Sequence, residues 1–327
     1  MNTMGRLFRL EIFGESHGES VGIIIDGCPP GIPLAEEDFH RDIERRKGGG
    51  SGTTSRVEED IPRVHSGVYR GFTTGSPILI SFLNRDADSG PYEKLKDIPR
   101  PGHGDFTARM KYRGFNDSRG GGHLSGRITA GLTAAGVIAK KIIQPAKIEA
   151  RILEIGGHKD YGSLLEKAVN EGDSLGGIIE CMVKDLPAGL GEPFFDSAES
   201  LLSHIIFAIP GIKGIEFGAG FRCSIMRGSD FNDPVIDIEG RTSSNNSGGI
   251  NAGITSGNPV VFRVAVRPTP SIYKVQDTVN FRTGKTEKLQ LKGRHDACFC
   301  LRLPVVVESA AAAVLADLFL INRLYRD

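Results

Sequence analysis

"GRITAGLTAAGVIAKKI", residues 126–142, reads as a helix with very little side chain on it. Alanine supplies the helix propensity, and alanine and glycine together leave a surface thin enough for another element to approach closely. Around it, "VGIIIDG" (21–27), "PILISFLN" (77–84), "GGIIECMV" (176–183) and "PVVFRVAV" (259–266) are short, mostly β-branched runs bounded by turn residues. Runs of that kind read as buried strands. "AEEDFHRDIERRK" (35–47) predicts a second helix, with acids in its first turn, bases in its last and glycine after it. "ESAAAAVLADLFLINRLYR" (308–326) predicts a third, whose apolar run is interrupted by Glu308 and Asp317 and whose length suits a packed globular helix. The expected fold class is α/β in the broad α+β sense, with several sheets' worth of strands. No linker, repeat or low-complexity segment divides the chain, so a single domain over 1–327 is expected.

The chain has 327 residues, enough to bury a substantial core. Its 40 basic residues balance 40 acidic ones, so bulk charge points to no nucleic acid and no membrane surface, and any positive patch has to be local. The 5 cysteines lack a paired C-x-x-C spacing, which argues against a disulfide framework and a structural metal site and leaves a reducing compartment as the default. "MNTMGRLFRLEIFGESHG" has no long apolar segment of the signal-peptide kind. A soluble, cytoplasmic protein without a membrane span is the expectation.

Glycine clusters at 47–52, 119–126, 211–220 and 247–257 mark tight turns or places where backbone comes close to something. Two histidines sit among glycines: His17 in "GESHG" and His103 in "RPGHGD". A lone loop histidine is more often structural than catalytic, but flanking glycines remove the bulk that would shield an imidazole from a ligand, and general acid work near neutral pH suits histidine. Arg45, Arg46 and Lys47 end a helix, where they suit its C-terminal carbonyls, yet they also precede "GGGSGTTSR", which ends in Arg56. Such a segment can present guanidinium groups to phosphate oxygens. It is not a P-loop, because the bases come before the glycines and G-x-x-x-x-G-K-[ST] is absent. "RGGGHLSGR" (119–127) runs straight into the alanine-rich helix, so Ser125 and the neighbouring N–H groups lie at a helix N-terminus. Ser125 there is a cap by default, and with Arg119, His123 and Arg127 beside it the end also attracts an anion. "KGRHDACFC" (292–300) brings Arg294, His295 and Asp296 together, as a surface salt bridge or as a group that orients a ligand or takes a proton. From residues alone the chain is an α+β protein whose loops could hold an anionic, phosphorylated ligand near histidines.

Taken together, "GESHGESVGIIIDGCPPGIPL" (14–34), "SGVYRGFTTGSPI" (66–78), "RPGHGDFTARMKY" (100–112), "RGGGHLSGRITAG" (119–131), "NNSGGINAGITSGNPVVFRVAVRPTPSI" (245–272) and "GRHDACFCLRLPVVVESAAAAVLAD" (293–317) closely resemble the chorismate synthase family in order and spacing. The resemblance spans nearly the whole chain. It implies a β-α-β sandwich with long glycine-rich loops over the active site, assembled as a homotetramer. It implies a lyase that converts 5-enolpyruvylshikimate 3-phosphate into chorismate and phosphate by 1,4-anti elimination, with reduced FMN as cofactor and NADPH as a reductant in some members. By matching position, His17 and His103 resemble the family's catalytic histidines, one acting on the leaving phosphate and the other keeping the flavin anionic. Asp296 resembles the aspartate that assists proton removal. His123, Leu124, Ser125, Pro210, Gly211, Ala252, Arg267, Pro268, Thr269, Pro270, Ser271 and Arg294 match stretches that contact FMN. Arg46, with Arg56 and Arg127, is implied at the phosphate of substrate or of NADP.

The chain departs from the family pattern in places. His123 and Leu124 stand where the usual string is "RGGGRSSAR", so one fixed positive charge becomes dependent on pH. Gly52 falls where a second arginine is usual, in a loop one residue shorter, which bears on any NADP contact. Ala252 replaces glycine and Arg267 replaces lysine. Two other readings use the same features: an NADPH-dependent flavin reductase, and a phospho-metabolite-binding protein without activity. The absence of G-x-G-x-x-G after a strand counts against a Rossmann dinucleotide site.

Overall fold

The computed structural model describes residues 2–56, 58–93 and 95–325. The first part of the chain supplies strands β1 (Thr3–Met4), β2 (Arg9–Gly14) and β3 (Ser20–Asp26), helix α1 (His40–Arg46), and strands β4 (Arg63–Val64) and β5 (Ile78–Leu83). These strands make an antiparallel sheet in the order β1-β2-β3-β5-β4. Helix α2 (Thr129–Ile142) follows, then strands β6 (Lys147–Ile155) and β7 (Gly177–Lys184), helix α3 (Ala198–Ala208), strands β8 (Ile212–Phe217) and β9 (Val260–Val266), and helix α4 (Pro304–Arg323). The second sheet has the order β8-β9-β7-β6 and is also antiparallel throughout.

The helices form the middle layer. Helix α2 packs on β3 and β5 of the first sheet, while α4 packs on β6 and β7 of the second and lies against α2. Glycine explains how two helices fit there. A Cβ on Gly131 would lie 2.8 Å from the Gly22 carbonyl oxygen of β3, and one on Gly136 would lie 2.3 Å from Ser309 Cβ on α4. The bare helix of the opening stretch is therefore thin on both sides, toward a sheet and toward another helix. Val21, Ile23 and Ile25 of β3 are buried in the layer, as are Val260, Phe262, Val264 and Val266 of β9, which alternate with less buried neighbours as half-buried strands do. One continuous apolar cluster joins both sheets through the helices.

Helix α4 is long and apolar enough to cross a membrane, but most of it is buried inside this sandwich. Its two acids explain themselves. Glu308 receives both terminal nitrogens of Arg45, at 2.7 and 2.6 Å, and the Ala150 N–H at 2.9 Å. Asp317 accepts the backbone N–H groups of Arg6, Leu7 and Phe8 at 2.9, 2.7 and 2.8 Å. Both are thus buried acids with partners, which is the condition for burying a charge at tolerable cost.

Candidate active site

At one end of the sandwich a cleft of about 1100 Å³ opens where the long connections converge. Thr129, the first residue of α2, and Val306, in the first turn of α4, line it. Two helix N-termini thus face the same space, and such ends carry partial positive charge and unpaired N–H groups. Ser125 caps the approach to α2 by accepting the Arg127 N–H at 3.2 Å.

His17 follows β2 and His103 lies in a turn more than eighty residues later, yet both line the cleft with Asp296. The His103 turn is closed by Arg100, whose N–H and Nε donate to Asp105 Oδ2 at 2.9 and 2.8 Å and whose Nη2 donates to Oδ1 at 2.8 Å. Burial, and then the Arg100 charge, push the His103 imidazole down to about 4. His17 packs edge-on against Tyr92 with ring centroids 5.1 Å apart, and its Nδ1 lies 3.0 Å from Ser16 Oγ. Its pKa is also lowered, by burial first and Arg56 second. Both histidines are therefore neutral at pH 7 when no anion faces them.

Asp296 is held from two sides. Arg302 donates from Nε to Oδ1 at 3.1 Å and from Nη2 to Oδ2 at 2.6 Å, and the Thr54 N–H donates to Oδ1 at 2.9 Å. The glycine loop that contains Thr54 is stapled to the Asp296 segment: the Ala297 and Cys298 N–H groups both donate to Gly52 O, and Thr54 Oγ1 donates to Arg294 O at 3.0 Å. Gly52 thus accepts both bonds through its carbonyl. A Cβ there would lie 2.8 Å from Leu165, at a φ of +79°.

The cationic floor lies deeper. Arg46 and Arg127 are buried and both donate to Asp60, to Oδ2 and Oδ1 respectively. Arg56 is turned toward Glu58, donating at 2.5 Å, and toward Ser16 O at 3.3 Å. Arg45, in contrast, points away from the cleft to Glu308.

Every site residue implied by the family resemblance lines the cleft except Ala252 and Pro268, whereas Arg119, flagged beside Ser125, does not line it and pairs with Asp117 at 2.8 Å. Ala252 occupies the tight turn between Ile250–Asn251 and Ile254–Thr255, exposed, at a φ of +52°. Pro268 is exposed to solvent. His123 donates or accepts at both ring nitrogens, with Nδ1 2.7 Å from Gly14 O and Nε2 3.2 Å from Asn2 Oδ1. Arg267 donates to Gly102 O at 2.6 Å, tying the 267–271 segment to the His103 turn. Arg294 pairs with Asp86 at 2.7 Å. At Gly211 a Cβ would lie 2.2 Å from the Phe299 ring, so that turn tolerates no side chain.

Sequence reasoning missed Arg100, Asp105, Asp60, Arg302 and Tyr92. Of these, only the Arg100–Asp105 bracket around a glycine-flanked histidine left a local signal. Three buried polar atoms on the cleft walls have no hydrogen-bond partner among the described residues: Arg46 Nε, Thr269 Oγ1 and His295 Nε2. Unsatisfied groups of that kind in a concave site are what a polar ligand would satisfy. No cluster of metal-ligating residues occurs among the described residues.

The comparisons agree with one another. The profile of the chorismate synthase family matches residues 8–320. The chain is 55% identical to the chorismate synthase of Chitinophaga pinensis over the full length of both. It is 46% identical to that of Dehalococcoides mccartyi, covering 98% of this chain and 96% of the relative. With the enzyme of Pyrococcus abyssi the identity is 43%, over 98% of each chain. A crystal structure of chorismate synthase superposes with a TM-score of 0.75 at 25% identity, over 98% of this chain and 93% of the other.

Proposed function

The chain belongs to the chorismate synthase family, lyases that turn 5-enolpyruvylshikimate 3-phosphate into chorismate and phosphate in the shikimate route to aromatic amino acids, and from that premise we propose how its cleft does so. The observation that carries the reading is the meeting of His17, His103 and Asp296, from three distant segments, around one cleft whose floor is cationic.

The cofactor is reduced FMN. The cleft has volume for a flavin beside a small substrate, and the orphaned Thr269 and His295 atoms, with Arg267 and the side-chain-free turn at Gly211, fit a flat, phosphorylated group. Leu124, Ser125, Pro210, Pro270, Ser271 and Arg294 would complete its walls. When bound, reduced FMN supplies electron density to the allylic system as phosphate leaves.

The protein's own part is charge and protons. Arg46 and Arg127, on the floor, hold the substrate phosphate with the two helix N-termini. His17 and His103 are neutral in the free cleft, and an arriving dianion favours their protonated forms, so each gains its proton together with the ligand. One then donates to the departing phosphate and the other compensates the anionic cofactor. Asp296 Oδ2 accepts one hydrogen bond where Oδ1 accepts two, which leaves Oδ2 the capacity to assist proton removal. The stapled glycine loop shields these steps from water.

We assign the protein to the cytoplasm and to a homotetramer. A set of exposed apolar side chains, Phe194, Phe221 and Ile225 with Phe195 at 91% and Ile238 at 99% exposure, supports an assembly that covers them.

The deciding experiment is anaerobic turnover of 5-enolpyruvylshikimate 3-phosphate with chemically reduced FMN, following phosphate release and chorismate absorbance together. Matched release and absorbance are expected. Tight FMN binding without phosphate release would sink the reading. Replacing the chemical reductant by NADPH tests self-reduction.

A further inference from the structure

Asp60 is a carboxylate on the cleft floor to which none of the steps above gives a task. It is 4% exposed, and its backbone stands at a φ of +52°, a region uncommon for residues with a side chain but open to Asp and Asn. One of its oxygens faces Arg46 and the other faces Arg127, which are themselves 5% and 7% exposed. The rest of the Arg127 fork is spent on fixed partners, with Nε donating to Asn84 Oδ1 at 2.9 Å and Nη2 to Leu83 O at 3.1 Å. Arg46 is different. Its Nη1 is 3.5 Å from Thr129 Oγ1, and its Nε has no hydrogen-bond partner among the described residues although it is buried on the cleft wall.

Two guanidiniums brought side by side out of water repel one another and lose hydration. A carboxylate shared between them makes the arrangement tenable and fixes both planes, because each fork is held through a directional hydrogen bond. The unit keeps one net positive charge and, in Arg46 Nε, a buried donor atom without a partner among the described residues, both at the floor. We propose that Asp60 is a positioning residue that acts through Arg46 and Arg127, locking the two guanidiniums into a single clamp that orients the substrate's phosphate for departure. This rests on the lyase reading above.

The proposal separates orientation from attraction. Asp60→Asn keeps a residue suited to the left-handed backbone and removes the charge, leaving one arginine without its acceptor. At saturating substrate, kcat falls at least about tenfold, while inorganic phosphate, titrated by calorimetry, binds as tightly as to the parent or more tightly because the floor has gained net positive charge. A kcat within about twofold of the parent overturns the proposal, and so does phosphate affinity lost in step with kcat. Should Asp60→Asn not fold, Arg46→Lys decides: it keeps the charge but not the fork, and the same split is expected, with parental kcat overturning the clamp. A parent that binds phosphate but forms no chorismate with reduced FMN counts against the lyase reading alone. Phosphate binding that Arg46→Gln leaves untouched counts against the clamp whatever the turnover.

Discussion

His103 Nε2 lies 2.7 Å from Ser271 Oγ, while its Nδ1 lies 3.0 Å from the carbonyl oxygen of Pro101. A carbonyl can only accept, so the Nδ1–H donates to it and Nε2 accepts a hydrogen bond from the serine hydroxyl. That fixes one neutral tautomer with Nε2 turned to the 267–271 segment. His103→Ala removes the group and is expected to lower turnover by about two or more orders of magnitude, with FMN affinity measured by fluorescence changed far less. Equal losses in both would mean that His103 builds the pocket and does not act in the reaction.

The same imidazole makes the ligand-free protein sensitive to mild acid. Unfolded, a histidine takes its proton near pH 6.5; folded, His103 does so only at about 4. Between those values the unfolded chain holds more protons, so stability falls as pH falls from 6.5 toward 4, by on the order of 3 kcal/mol from this residue, and is unaffected by it above that window. His17, lowered in the same direction, adds to the loss. Thermal midpoints measured across this range should decline less steeply in His103→Asn. Binding of the phosphorylated substrate at pH 7 should take up protons, visible as a binding heat that changes with the ionisation enthalpy of the buffer.

Gly120 is the spacer that lets the His17 ring sit where it does. A Cβ there would lie 2.4 Å from His17 Cε1 and 2.8 Å from Ser16 Oγ, at a φ of +63°. Gly120→Ala therefore has to displace the imidazole, the backbone or both. Turnover is expected to fall at least about tenfold, since a displacement near 1 Å at a reacting group costs that much or more, with only a modest drop in thermal midpoint. An Ala variant of parental activity would remove His17 from the chemistry.

How much of this was legible beforehand follows from what each residue does locally. The strands around Ile23, Ile80, Ile179 and Val264 declare themselves because each is a short, mostly β-branched run between turn residues. The alanine-rich helix declares itself through glycines whose reason, the Gly22 carbonyl and Ser309, lies far away in sequence but whose effect on composition is local. Asp60 does not. In "VEEDIP" it looks like one more solvated acid, and only the fold shows that Arg46 and Arg127 arrive on either side of it. Arg302, inside "CFCLRLP", is silent for the same reason. A motif match gives a residue its type, not the side of a turn it faces, and Ala252 sits on a hairpin away from the cleft.

Asp317 was an anomaly in the sequence, an acid in an apolar helix, and it makes the strongest stability prediction. Its carboxylate gathers three consecutive N–H groups at Arg6, Leu7 and Phe8, at 2.9, 2.7 and 2.8 Å, and so pins the connection between β1 and β2 to the central helix. Phe8 is fully buried, so its N–H has no water to turn to when the acceptor is lost. Asp317→Ala is expected to cost about 2–4 kcal/mol, because charge-assisted bonds are lost and buried donors are left unpaired. Asp317→Asn should cost less, since one oxygen remains to accept. Asp317 does not line the cleft, so kcat per folded molecule should stay within about twofold of the parent. The urea midpoint of the two variants, read beside their turnover, checks both halves at once: an unchanged midpoint would show that the three bonds contribute nothing net, and a lost kcat in a folded variant would show that the β1–β2 connection is coupled to His17 through β2.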